Sequence, residues 1–387
     1  MMEKVKNWTD KNIQGDPVIW TVVLALSFIS ILVVYSATGT LAFKKMAHPE
    51  KYLIKHSALV GLGLFAMWVA HKIDFRYYSR LSWVGLWVSV PLLLYTWLNG
   101  DTLNAASRWI TVPIINQSFQ PSDLASLSLI MALASMLSKR QQTIEDIKRT
   151  LFPILAWCGV ICGLIALTNF SSGVLLFGTC LLVMFMGRVP MKYLAMLVFV
   201  GILAGSIAMK FGERGATVVS RIEAFISGEN IGHQAEQSRI AVANGMVLGK
   251  GPGKSVQRNI LPHPYSDFVY AIIVEEYGAI GGIAVIILYL ILLYRGIKAV
   301  ATSEMAYGGL LSAGLTFALV LQAFVNMGVV VGLGPVTGIP LPLISMGGTS
   351  LLFTGISLGI IISVSRGQID KGWKVSGETH KNIQKAA

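Results

Sequence analysis

The chain has 387 residues, 54% of them hydrophobic and only 13% charged, and its mean hydropathy is +0.65. That composition excludes a soluble globular domain. The net charge of +12 would suit nucleic acid, but the basic residues fall where membrane topology puts them, so no nucleic-acid partner is expected.

Apolar stretches of about 17–25 residues are long enough to cross a bilayer. Ten such segments are predicted: 18–38, 54–71, 81–98, 122–138, 152–168, 170–187, 192–210, 268–294, 308–331 and 344–365. The N-terminus is polar and the first apolar segment is long, without a small-residue cleavage site, so no cleavable signal peptide is expected. With residues 1–17 in the cytoplasm, the short inner connections collect Lys72, Arg76, Arg80, Lys139, Arg140, Arg188, Lys192, Arg295 and Lys298, as the positive-inside rule requires. Both termini then lie inside, including the basic tail 367–387, and the long connection 211–266 lies outside.

Between the third and fourth segments stands a polar cluster, Ala106-Ser107-Arg108-Trp109-Ile110, then Gln120-Pro121-Ser122-Asp123. Arg108 with Trp109 reads as an interfacial anchor. Pro121 suits the first turn of a helix, which places Asp123 just inside it. An ionisable residue there is a functional hypothesis by default, against the plainer alternative of a structural bridge to a base such as Arg108. Cys158, Cys162 and Cys180 sit inside predicted spans with no His or carboxylate beside them, so they read as small packing residues.

The 211–266 connection has its own structure. Phe211–Glu229 mixes charges with an apolar stripe of Val218, Val219, Ile222, Phe225 and Ile226, which predicts a helix lying on the membrane surface. A second helix is predicted over Gln234–Val247. The turn Leu248-Gly249-Lys250-Gly251-Pro252-Gly253-Lys254-Ser255 lacks the spacing of a nucleotide-binding loop. It reads either as a basic cradle for a lipid pyrophosphate or as a flexible turn with solvated lysines. Asp267 follows, at the mouth of the eighth span. It reads as a helix cap or as a carboxylate that meets a lipid head group and takes a proton. Glu275 and Glu276, two turns on, pose the same choice between function and a bridge. Asn326 to Ser350 holds three prolines and many glycines. Such a segment cannot be a regular spanning helix, and non-helical backbone at membrane depth survives only against protein or a water-filled cavity.

These clusters carry a resemblance. Gly332-Leu333-Gly334-Pro335-Val336-Thr337-Gly338-Ile339-Pro340-Leu341-Pro342 with Ser345 and Gly347-Gly348 is similar to the C-terminal signature of the SEDS family (shape, elongation, division and sporulation). Arg108-Trp109-Ile110 with Gln120-Pro121-Ser122-Asp123 resembles its signature before span four. Leu248 to Ser255, Ser266-Asp267-Phe268 and Glu275-Glu276 resemble its outer loop and eighth span. The matches run in order over about residues 18–366.

The resemblance implies an all-α polytopic membrane protein of about ten transmembrane helices, with a large extracytoplasmic loop between spans seven and eight. It implies a glycosyltransferase that polymerises lipid II into peptidoglycan strands at the bacterial plasma membrane. It also implies a class B penicillin-binding protein as transpeptidase partner and contact with divisome proteins, since the division-type branch is the closer. By motif match Asp267 takes the catalytic position, a general base in an inverting single displacement. Arg108, Lys250, Lys254 and Arg258 would face the leaving pyrophosphate, with a divalent cation (Mg2+ or Mn2+) as the alternative counter-charge. Asp123, Glu275 and Ser345 are expected to contact substrate. The chain departs from the family pattern at Asp123 (usually Glu), Ser126 (usually Lys) and Asn169 (usually Asp). If the last two positions face each other, the missing charges compensate. The alternatives to a polymerase are a lipid II flippase or transporter, with Asp123 or Glu275 central, and a scaffold for the transpeptidase.

Overall fold

The computed structural model describes residues 12, 14–44, 49–99, 101–103, 106–112, 117–144, 146, 150–211, 215–228, 232–303 and 305–366. Its helices are α1 (Pro17–Lys44), α2 (Pro49–Lys72), α3 (Phe75–Asn99), α4 (Pro121–Lys139), α5 (Phe152–Thr168), α6 (Phe170–Met186), α7 (Met191–Phe211), α8 (Gly215–Ser227), α9 (His233–Gly245), α10 (Val269–Thr302), α11 (Ala306–Val330) and α12 (Gly348–Arg366). Among the described residues, seven helices are long and apolar enough to cross a membrane: α1, α2, α3, α4, α10, α11 and α12. Three shorter apolar helices, α5, α6 and most of α7, occupy the fifth, sixth and seventh predicted segments. The chain is therefore an all-α multi-pass membrane protein.

The sequence signals place most helices to within a few residues. The two helices expected between the seventh and eighth segments appear as α8 and α9. Pro121 stands in the first turn of α4, where its missing N–H leaves no bond unmade. Asn169 separates α5 from α6: extended at φ −149°, it accepts the Ser172 N–H at 3.4 Å as the cap of α6. One feature went unread: between α3 and α4 the chain forms a three-stranded antiparallel sheet, β1 (Asp101–Leu103), β2 (Ala106–Val112) and β3 (Gln117–Phe119). β1 and β3, of three residues each, are too short for alternation to mark them.

The core is centred on α4. Its span is 72% buried, against 28% for α3 beside it. Gly85 of α3 approaches Ser128 of α4 so closely that a Cβ would stand 2.2 Å from the Ser128 hydroxyl. Helix α7 lies at the margin, with Met196, Phe199, Ile202 and Leu203 exposed as befits a lipid-facing helix.

Helix α10 is broken at Gly278, which adopts φ 70° and ψ −171°, a region open almost only to glycine. The break frees backbone groups that lipid cannot satisfy, and the segment after α9 takes them. Ala279 and Ile280 donate their N–H groups to Met246 and Val247 carbonyls, at 2.9 and 3.4 Å. The Glu275 and Glu276 carbonyls, which those amides would serve in an unbroken helix, accept from Lys250 and Gly251 at 2.9 Å each. The exchange needs backbone against backbone: a Cβ on Gly245, Gly249 or Gly278 would lie 2.1–2.3 Å from a carbonyl oxygen of the opposite segment.

Candidate functional site

The glycine-rich turn that follows is held by the α10 carboxylates. Glu275 is fully buried and takes Lys250 Nζ at 2.8 Å, the Ser255 hydroxyl at 2.5 Å, and the Val256 and Gln257 N–H groups at 3.3 and 3.2 Å. Glu276, also buried, accepts the Ser36 hydroxyl from α1 and the Ser255 N–H at 3.4 Å. A buried carboxylate needs such donors. Both glutamates thus fix the fold of the 249–258 turn.

The cations named from the sequence separate. Lys250 is committed to Glu275. Arg258 turns inward and donates to the Ser36 carbonyl and hydroxyl, both at 3.1 Å. Lys254 is exposed and has no ion pair among the described residues. Arg108 belongs to β2 by its backbone, and its side chain lies outside the described residues.

Asp267 precedes α10 but does not cap it. The N-cap is Phe268, and no side chain bonds the first turn. The Asp267 carboxylate is part-exposed and accepts the Ser266 hydroxyl at 2.9 Å. The backbone around it is pinned residue by residue. Met346 N–H donates to the Tyr265 carbonyl at 2.9 Å, Ser345 Oγ to the Ser266 carbonyl at 2.7 Å, and Asn326 Nδ2 to the Asp267 carbonyl at 2.7 Å. Asn326 also donates to the Ile339 carbonyl at 2.8 Å, and Ser345 Oγ accepts the Leu341 N–H at 2.8 Å. The proline-rich segment after α11 is thereby a brace for the Asp267 turn. Tyr289 of α10 donates to the Pro342 carbonyl, and Ser30 of α1 donates to Ile344 at 2.8 Å while contacting the buried His56. Ser345 is buried and its hydroxyl is engaged with two backbone groups.

Tyr265 lies beside Asp267, its hydroxyl 3.1 Å from His263 Nδ1. Burial, and then the neighbouring Tyr52, raise its phenol above the usual value, so it stays a neutral donor. Among the described residues no group of three His, Cys, Asp or Glu is placed to hold a metal ion. Among the described residues the donor set does not fit a protein-held divalent cation.

Asp123 lies in a cleft of about 110 Å³ between α4, α6, α11 and α12, which neither Asp267 nor Asn326, Ser345 or Met346 lines. Ser126 and Ser172 line the same cleft, whereas Asn169 turns back onto Ser172 as the α6 cap. No hydrogen bond joins Ser126 to Asn169 among the described residues. The three cysteines are free and buried.

In the sequence Asn326 is one residue of a cluster rich in glycine and proline. An amide inside an otherwise apolar span was the available signal. Ser36 carried none, since its importance lies in contacts with a distant segment.

The family profile described as "Cell cycle protein" (FtsW/RodA/SpoVE) matches residues 16–369. Among curated relatives, a "Probable peptidoglycan glycosyltransferase FtsW" of Geobacter metallireducens is 33% identical over 356 residues, 90% of this chain and 94% of that one. The stage V sporulation protein E of Bacillus subtilis is 31% identical over 369 residues, 92% and 99% of the two chains. The crystal structure of the rod shape determining protein RodA of Thermus thermophilus superposes with TM-score 0.67 at 25% identity, covering 92% of this chain and 97% of that one. A profile that matches nearly end to end, relatives matched over almost their whole length and a shared fold give one result: the chain belongs to the FtsW/RodA (SEDS) family of peptidoglycan glycosyltransferases.

Proposed function

We propose that the chain polymerises lipid II, with Asp267 as the general base. An acceptor sugar hydroxyl attacks the anomeric carbon of the donor, and its proton passes to the Asp267 carboxylate. The new C–O bond forms as the bond to the lipid pyrophosphate breaks, and the lipid pyrophosphate departs as the anion. The donor linkage is α and the product linkage β, so a single displacement inverts the centre and needs no second carboxylate. One observation carries the reading: three consecutive backbone carbonyls at Tyr265, Ser266 and Asp267 are pinned, while among the described residues the Asp267 carboxylate receives only the Ser266 hydroxyl. A base held by its backbone with lone pairs left open is pre-organised for a substrate proton. Lys254 is the cation best disposed to meet the leaving group, because Lys250 and Arg258 have partners inside the fold. Ser345 and Glu275 act by positioning the Asp267 turn and the 249–258 turn.

In this reading residues 1–17 and 367–387 are cytoplasmic, 18–366 form the membrane domain and 211–266 is extracytoplasmic. The protein acts at the division septum, beside a class B transpeptidase, as FtsW-type members do; the names of the curated relatives favour that branch over the RodA type. A transport reading draws on the Asp123 cleft and makes Asp123, not Asp267, the essential carboxylate.

The test is glycan-strand synthesis from purified lipid II in detergent, with the cognate transpeptidase, for wild type and Asp267→Asn. Wild-type polymer and none from an Asp267→Asn protein with an unchanged unfolding temperature is the expected result. Equal polymer from both removes Asp267 as the base. No polymer from either, beside an active partner, moves transport or scaffolding ahead.

A further inference from the structure

The cleft around Asp123 holds an unpartnered carboxylate oxygen. Oδ2 of Asp123 is buried and has no hydrogen-bond partner among the described residues. The usual use of an acid at the third helical position, a bond back to the N-cap amide, is closed to it: the Gln120 N–H donates to the Thr349 hydroxyl at 3.2 Å. Among the described residues no ion pair reaches Asp123. Around it the cleft presents oxygen donors from several helices, with Ser126 on α4, Ser172 and Thr179 on α6 and Gln322 on α11. Gln322 spends its amide N–H on the Pro340 carbonyl at 2.9 Å, which leaves its oxygen available. The remaining walls, such as Leu127, Leu319 and Phe353, are apolar.

We propose that this cleft is a binding site for a ligand carrying a single positive charge, with Asp123 as counter-ion and the cleft hydroxyls and Gln322 oxygen as additional ligands. One carboxylate among neutral oxygens matches a monovalent rather than a divalent ion, since divalent cations draw on several anionic oxygens or substrate phosphates. Two sources share that chemistry: an alkali metal ion, and the ammonium head group of a lipid whose chains run along the apolar walls. A buried carboxylate without such a partner is strongly disfavoured in its charged form, so occupancy stabilises the fold by mass action.

The experiment measures thermal unfolding of the full chain in detergent at constant ionic strength. One arm replaces N-methyl-D-glucamine chloride by NaCl or KCl. The other adds phosphatidylethanolamine or, as control, phosphatidylglycerol. A saturable rise of a few degrees in wild type, absent in Asp123→Asn and in Ser126→Lys, where an ammonium is built into the cleft, is the expected result. The responding arm identifies the source. Calorimetric titration of wild type with NaCl and with a short-chain phosphatidylethanolamine keeps the test open if a variant does not fold. If wild type shows neither a shift nor a saturable heat with any of these cations, the proposal is wrong and a proton satisfies Asp123. A shift that persists undiminished in Asp123→Asn places the cation elsewhere and overturns it equally.

Discussion

Replacing Gly278 by alanine tests the backbone exchange between α10 and the segment 246–251. At φ 70° and ψ −171°, a residue with a side chain carries about 1–3 kcal/mol of strain. The new Cβ would also stand 2.1 Å from the Val247 carbonyl oxygen. That contact is with backbone and cannot be relieved by a rotamer change, so the two segments must part. Four backbone hydrogen bonds cross between them, each with a net value of about 0.5–1.5 kcal/mol. Losing two of them together with the strain gives about 2–6 kcal/mol of destabilisation. The matched control is Gly163→Ala, within α5, where a Cβ meets nothing within 4 Å. There alanine should be neutral or stabilising by up to about 1 kcal/mol. Thermal unfolding in detergent compares the two, and limited proteolysis of 246–258 reports whether the turn has come away. Gly278→Ala unfolding at the same temperature as Gly163→Ala, with the turn still protected, would refute the exchange as a determinant of the fold.

Glu275→Gln keeps the shape of the buried carboxylate but removes its charge from Lys250 and turns an NH2 group toward donors. Glu275 is buried but the Lys250 side chain is 31% exposed, so breaking the pair costs less than the ~3–5 kcal/mol of a fully buried one, read as a lower unfolding temperature and faster acylation of Lys250. Asn326→Ala leaves the Asp267 and Ile339 carbonyls without their donor, a cost of about 1–3 kcal/mol for each buried acceptor left unsatisfied. Because the Asp267 turn is then loosened, polymerisation kinetics should show a lower kcat with a largely unchanged KM, and a parallel loss in KM would argue against a positioning role. Ser255→Ala removes the 2.5 Å bond to Glu275 and the support of the Arg258 N–H at 3.2 Å. It should destabilise by about 1.5–3 kcal/mol, and an unchanged unfolding temperature would mean that the turn is held by its backbone contacts alone.

Much of the architecture is written locally. Hydropathy placed the long apolar helices, because a spanning helix satisfies its own backbone bonds and declares itself by length alone. Pro121 marked the start of α4, and the apolar stripe from Val218 to Ile226 marked α8. The position of Asp267 at the mouth of α10 was legible too, although local pattern could not decide between a cap and a free carboxylate. Contacts across the chain place it: Asn326, Ser345 and Met346 hold the backbone of the turn from 59 to 81 positions away in sequence, Phe268 is the N-cap, and the Asp267 carboxylate takes the Ser266 hydroxyl. The same holds for the basic residues. Composition made Lys250, Lys254 and Arg258 equivalent, and only the packing of α1 and α10 against the glycine-rich turn commits Lys250 to Glu275 and Arg258 to Ser36 while leaving Lys254 exposed. Periodicity reports which face of a helix is apolar. It carries no information about which distant donor will reach a buried carbonyl or carboxylate, and in this protein those long-range hydrogen bonds determine which charged groups are spent inside the fold and which remain for chemistry.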